Sequence, residues 1–255
     1  MSSPVAGYLE ALAHGYLGEI RDALADGAVV DDPEAGRIAG FIPLERFLVD
    51  AHQRLAAARS AARLLRETSR GGRAVAEWVW ELDVKGERRA VPVAAAGELN
   101  QAGRIAALRI YHSFWPLEGH HRVRPRLLPA RHDLRLAPPV AAYQRALAKG
   151  DLEGVLAQFE PGGAAREPAG GPHLHRGPES LRGFYGALFS NGGGIPLEHC
   201  SATDDGVACA VEYSVVRWGR TALPPQAGIA VYERGPSGLL AWARIYDDVD
   251  PPLPH

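Results

Sequence analysis

The sequence predicts an α+β protein made of two cone-shaped domains in tandem, each with helices packed on a curved antiparallel sheet. Two observations carry that expectation: one pattern occurs twice along the chain, and in each copy helical periodicity comes before strand periodicity. Residues 5–24, VAGYLEALAHGYLGEIRDAL, align with residues 140–159, VAAYQRALAKGDLEGVLAQF. Val5, Tyr8, Leu12, Gly15, Leu17 and Ile20 fall on Val140, Tyr143, Leu147, Gly150, Leu152 and Val155, a constant offset of 135. The offset persists at Asp32-Pro33 against Glu167-Pro168, at Glu77-Trp78 against Glu212-Tyr213, and at Arg109-Ile110-Tyr111 against Arg244-Ile245-Tyr246.

In the first copy, apolar residues at 5, 8 and 12 and then at 17, 20 and 24 predict a helix pair hinged at Gly15. A short extended piece, Ala28 to Asp32, is stopped by Pro33. Leu44, Phe47, Leu48 and Leu55 give a second helix, from Pro43 to about Ala58, its apolar side. Period-two alternation then predicts strands over 62–68, 74–84, 88–99 and 104–115. Their counterparts are 196–202, 207–218, 226–234 and 239–249. The domains are expected over residues 1–117 and 138–255, joined by a Pro- and Arg-rich linker over 118–137. The surrounding stretch 116–139 has five prolines, which disfavour a helix or a central strand. Its five arginines read either as an anion-binding patch or as a solvated connector; without helical phase or interleaved aromatics the connector is favoured.

Composition narrows the function classes. With 28 basic against 30 acidic residues, there is no electrostatic reason to expect nucleic acid or a membrane surface as partner. No stretch approaches the ~20 apolar residues of a membrane span. The opening Met1-Ser-Ser-Pro has no basic-then-apolar leader, so a cytoplasmic location is expected. Cys200 and Cys209 fit that reducing compartment and read as buried small hydrophobes. His173, His175, His120 and His121 lack a third ligand at metal-site spacing, and no phosphate loop, dinucleotide fingerprint or nucleophile elbow is present. A curled sheet closed by helices encloses an apolar hollow suited to a small molecule.

The stretches ALADGAVVDDPEAGRIAGFIPLERF (23–47) and QFEPGGAAREPAGGPHLHRGPESLRGFY (158–185) resemble the ketosteroid isomerase and SnoaL-like polyketide cyclase superfamily. LRIYHSFWPL (108–117) and ARIYDDVDPP (243–252) resemble its last strand. The likeness spans nearly the whole chain, twice. It implies the nuclear transport factor two-like cone fold, specifies the reaction weakly, and implies no cofactor. Tandem copies are also similar to the polyether-forming epoxide hydrolase/cyclases.

In that superfamily the aspartate of V-x-D-P, here Asp32, is the general base that moves a proton beside a carbonyl. An acid delivered into an apolar hollow loses hydration and becomes a better proton acceptor. Asp-Pro is equally a turn signal, and Asp31 makes that turn acidic. Glu167 keeps the acid in the second copy on an arm longer by one C–C bond. Tyr8 and Tyr143 match the isomerase tyrosine that stabilises an oxyanion, and they also lie on the apolar stripe of a core helix. The isomerase's second, protonated acid falls near Ala95 and near Ala227 or Gly228, none of which can donate from a side chain. Steroid isomerisation itself is therefore not carried over.

Alternation on the last strand puts Ile110 and His112 on one face, and likewise Ile245 and Asp247. His112 is expected to approach Asp32, and Asp247 to approach Glu167, each pair combining an acid with a base. These polar residues otherwise lie at a strand end in solvent. The first copy, with Trp78, Trp80 and Trp115 as a wall, is the expected working site; the second is expected to be structural or to bind another part of the substrate. The resulting expectation is an acid–base enzyme acting on a hydrophobic, oxygenated small molecule. Its competitor is a non-catalytic module that binds a hydrophobic ligand or dimerises through its sheet, the two copies packing as a pseudo-dimer.

Overall fold

The computed structural model describes residues 3–252 and divides into two compact units, Met1–Gly119 and His120–His255. In the first unit, α1 (Pro4–His14) and α2 (Leu17–Ala23) precede β1 (Leu24–Asp32) and β2 (Gly36–Ala39). Then come α3 (Phe41–Ala57), β3 (Ala61–Arg70), β4 (Arg73–Val84), β5 (Glu87–Leu99), β6 (Ile105–Tyr111) and the single turn α4 (Trp115–Glu118). The sheet order is β2-β1-β6-β5-β4-β3. Every pair is antiparallel except β1 with β6, the first long strand and the last.

The second unit repeats this plan. It comprises α5 (Pro138–Lys149), α6 (Leu152–Leu156), β7 (Phe159–Arg166), β8 (Leu174–Arg176), α7 (Gly177–Leu188), β9 (Leu197–Asp204), β10 (Ala208–Trp218), β11 (Thr221–Arg234) and β12 (Leu240–Asp247). Its order is β8-β7-β12-β11-β10-β9, again with one parallel pair, β7 with β12.

Local chemistry sets the element ends. The Ser3 hydroxyl accepts from the Ala6 N–H, and Pro4, which has no N–H to satisfy, starts α1. Gly15 closes that helix at φ 77°, a left-handed conformation in which a side chain is strained. The expected hinge is this cap, and Gly150 repeats it after α5 at φ 70°.

The strands differ from expectation in three places. The last strand of the first unit stops at Tyr111, not near 115, because the Ser113 hydroxyl accepts from the Trp115 N–H and the chain turns into α4. β11 begins at Thr221, five residues before the predicted strand, and carries Pro224 and Pro225. Prolines cannot donate to a ladder, and they fall in a register shift where Val215 pairs Gln226 and Arg217 pairs Ala222. The short strands β2 and β8 have too few residues to show alternation in the sequence.

The proline-rich segment that the sequence presents as a connector lies along the second sheet. Pro125 bridges Gln226, Arg131 N–H donates to the His199 carbonyl, and the Cys200 thiol donates to the Leu128 carbonyl at 3.4 Å.

Each unit has its own core between helices and sheet. In the first, Val5, Tyr8, Leu12, Leu48, Trp78, Val93 and Ile110 meet. In the second, Val140, Tyr143, Leu181, Tyr185, Val211, Tyr213 and Tyr232 do. Among the described residues, no helix is long and apolar enough to cross a membrane.

Candidate functional site

Alternation decides which polar groups face the helices. On β1, Ala28 and Val30 belong to the first core, so Asp32 follows them on the inner face. Its carboxylate is committed to the turn after β1: Oδ1 accepts from Glu34 N–H at 2.9 Å and from Ala35 N–H at 2.8 Å. Asp32 is thus the turn aspartate of an Asx motif, whatever else it does. Neighbouring Asp31 faces the other way, 3.4 Å from Arg37.

Tyr8 is buried, and its hydroxyl has no hydrogen-bond partner among the described residues. Burial, and then the Asp32 charge, hold the phenol far above the ordinary tyrosine range. The indole N–H groups of Trp78 and Trp80 are likewise buried without an acceptor among the described residues. His112 lies just beyond β6, its ring centroid 4.7 Å from Phe114 and 6.4 Å from Trp80, with Nδ1 3.2 Å from the Ser113 carbonyl. Among the described residues the hydrogen bonds of Asp32 stay within its turn, and none joins it to His112.

In the second unit, Glu167 follows Ala165 on the inner face, just past the end of β7. Its Oε1 lies 2.6 Å from His175 Nε2 and 3.7 Å from His173 Nδ1. His175 sits on β8 opposite Ala165, and its ring stacks on Phe184 at 4.3 Å. The equivalent pairing in the first sheet is Val30 with Ile38, so an imidazole has replaced a core isoleucine. Among the described residues no group of three or more metal-ligating side chains is arranged to hold a metal ion.

Asp247, part-buried on β12, follows Ala243 and Ile245 along the inner face. Tyr213 Oη donates to its Oδ2 at 2.6 Å. Loss of hydration pushes the carboxyl up to about 6, although the bonds from Tyr213 and the Val249 N–H pull the other way. The approach of Asp247 to Glu167 expected from alternation is not a direct bond. The last register pair joining their strands is Arg166 with Arg244, and each acid has taken a different partner.

Sequence reasoning missed Tyr213, using it only as a marker of the repeat. Alternation along β10 would have found it, since Val211, Tyr213 and Val215 share the inner face. Two further phenols were also missed. Tyr185 on α7 shares a hydrogen bond of 2.9 Å with Tyr143, and Tyr232 accepts from Gln144 Nε2 at 2.6 Å. Burial first, with the Tyr185 bond opposing it, raises Tyr143 to about 12. Tyr143 is therefore a neutral hydroxyl whose hydrogen-bonding is already engaged. Tyr185→Phe is expected to cost about 1–2 kcal/mol by stranding that hydroxyl. The Tyr143→Phe/Tyr185→Phe double variant should lose less than the sum of the single losses in urea denaturation.

Other candidates do not join the site. Burial raises both thiols, Cys209 to about 12, which leaves them protonated and poorly nucleophilic. Glu77 and Glu212 sit on the outward faces of their sheets and are buried, Glu212 accepting from the Ser201 hydroxyl.

In comparison with known proteins, residues 140–240 match a family model described as a SnoaL-like domain. No curated protein matches the chain. Among solved structures, a candidate polyketide cyclase from Sinorhizobium meliloti aligns at 26% identity and TM-score 0.36, covering 43% of this chain and 94% of its own. An uncharacterized cystatin-fold protein from Novosphingobium aromaticivorans aligns at 16% identity and TM-score 0.37, over 42% of this chain and 93% of that one. An M. tuberculosis LEH-like epoxide hydrolase aligns at 21% identity and TM-score 0.37, over 45% of this chain and 83% of that one.

Proposed function

Proceeding from a SnoaL-like second domain, we propose that the chain is a cofactor-independent acid–base enzyme acting on a hydrophobic, oxygenated small molecule. The reactions that fit are polyketide-type cyclisation, isomerisation and epoxide opening. The observation that carries the reading is the part-buried Asp247, on the inner face and raised to about 6. A carboxyl in that range exchanges its proton near neutrality, ionised as a base above about pH 6 and protonated as an acid below it. Ring opening and aldol closure both need one group to take a proton and another to give one. At the adjacent strand end of the same unit, Glu167 and His175 bring a further carboxylate and an imidazole into hydrogen-bond contact. In this reading the second domain performs the chemistry, and the Asp32 turn in the first is structural.

The test uses the full chain with a panel of hydrophobic epoxides and 1,3-dicarbonyl compounds. Turnover with a pH-dependent limb near 6, kept by Asp32→Asn and lost by Asp247→Asn, is the expected result. Turnover that survives Asp247→Asn would refute the assignment. A second reading, a non-catalytic hydrophobic-ligand binder, draws on Tyr8, Trp78 and Trp80, three buried donors that an oxygen-bearing guest would satisfy. Saturable binding of the same compounds without turnover would favour it.

A further inference from the structure

Three residues lie side by side across the middle of the second sheet. Tyr213 on β10 pairs with Gly228 on β11, and Gly228 pairs with Asp247 on β12. Cross-strand partners point to the same face, so a side chain at 228 would stand between the phenol and the acid. A Cβ there would come 2.7 Å from Asp247 Cβ and 2.8 Å from both Cε2 and Cζ of Tyr213. Neither neighbour can yield easily: the Tyr213 ring is buried, and Asp247 Cβ is fixed to the β12 backbone. The Tyr213 ring lies over the glycine and spans the strand between them to reach Oδ2.

The first unit fills the same row differently. Trp78 pairs with Val93, and His112 follows Tyr111, which pairs with Ala94. There a branched residue occupies the central strand, an indole without an acceptor among the described residues flanks it on β4, and an imidazole lies beyond β6. The second unit differs at all three positions, and the three differences depend on one another: a phenol to donate, a glycine to lie across, and a carboxylate to accept.

We propose that Gly228 and Tyr213 are positioning residues for Asp247, the glycine admitting the phenol and the phenol fixing one carboxylate oxygen so that the acid meets a guest in a single orientation. This rests on the reading of Asp247 as the proton-handling group. The other groups acting on that carboxyl are the Val249 N–H, Asp248 on the same chain segment and His121 from the segment before α5, itself held 2.8 Å from Asp248. Tyr232 on β11 lies close enough for the Asp247 charge to raise its phenol. Among these, Tyr213 is the side chain that donates to the carboxylate, and its bond favours the ionised form.

The test is a carboxyl-carbon NMR titration of the full chain without substrate, the Asp247 signal being identified by its loss in Asp247→Asn. The expected midpoint is near 6 in the parent, and about one pH unit higher in Tyr213→Phe, which keeps the ring and removes the donor. Gly228→Val, which restores the first unit's residue, is expected to move the midpoint the same way. A Tyr213→Phe midpoint within about 0.3 unit of the parent would overturn the proposal, whether or not Gly228→Val folds. Because no substrate is present, the titration stands apart from turnover. A shifted midpoint in a protein whose activity survives Asp247→Asn would keep the positioning role and remove the catalytic one.

Discussion

Replacing Asp247 by Asn is expected to cut turnover by about 10²–10⁴, the usual range for losing a general acid or base, and at the same time to stabilise the fold above pH 6. The second effect follows from the direction of its shift. The native carboxyl titrates near 6 against an ordinary 3.8, so the native state favours the protonated form. That contribution is fully present below about pH 4 and is lost as the pH rises through 6. The rise sets a ceiling of about 3 kcal/mol, and roughly 2 kcal/mol is expected because Asp247 is only part-buried and solvent screens its charge. Urea midpoints of parent and variant should coincide near pH 3.5 and separate by pH 8, the variant being the more stable. Equal midpoints at pH 8 would mean that the carboxyl is well hydrated, and the case for Asp247 as the working acid would fail with it. A residue that weakens the fold in its ionised form has a functional explanation more readily than a structural one.

Gly194→Ala is expected to cost roughly 3 kcal/mol or more, from backbone overlap alone. A Cβ at 194 would lie 2.2 Å from the Leu147 carbonyl oxygen, 2.3 Å from Gly150 N and 2.6 Å from the Ala148 carbonyl carbon. All three belong to the last turn of α5 and its cap. The same strip of chain is tied in on both sides, by Ile195 N–H donating to the Leu147 carbonyl and Gly219 N–H donating to the Gly194 carbonyl. Nothing flexible is available to move aside. Gly183→Ala on α7 is the control, since an added Cβ there meets nothing within 4 Å and a helix interior favours alanine by about 0.5–1 kcal/mol. Chemical denaturation of the two variants should therefore move in opposite directions.

The fold was legible in the sequence because the repeat, the helix caps and the strand alternation all depend on residues close together along the chain. The site was less so. Periodicity set Tyr8, Tyr143, His112 and Asp247 on core-facing stripes, and the family resemblance and the repeat singled out Asp32 and Glu167, but pairing depends on neighbours many residues away. His175 reaches Glu167 through β8, a strand too short to announce itself. Tyr213 reaches Asp247 because a glycine on a third strand leaves room, and the sequence distinguishes such a glycine from a turn glycine only once the register is known. Asp32 shows the opposite case. Its motif is conspicuous, yet its oxygen is occupied by the two N–H groups that follow it, an outcome the Asp-Pro turn signal had already offered.

The one parallel pair in each sheet has a consequence for how the chain assembles. Val30 is level with Leu108, and Ala165 with Ala243, so each half is closed by its last-made strand returning to its first. Contacts so remote along the chain raise contact order, and that slows the search for the native arrangement. During synthesis neither half can complete its sheet until its final strand has emerged from the ribosome, and until then β1 or β7 keeps one unpaired edge.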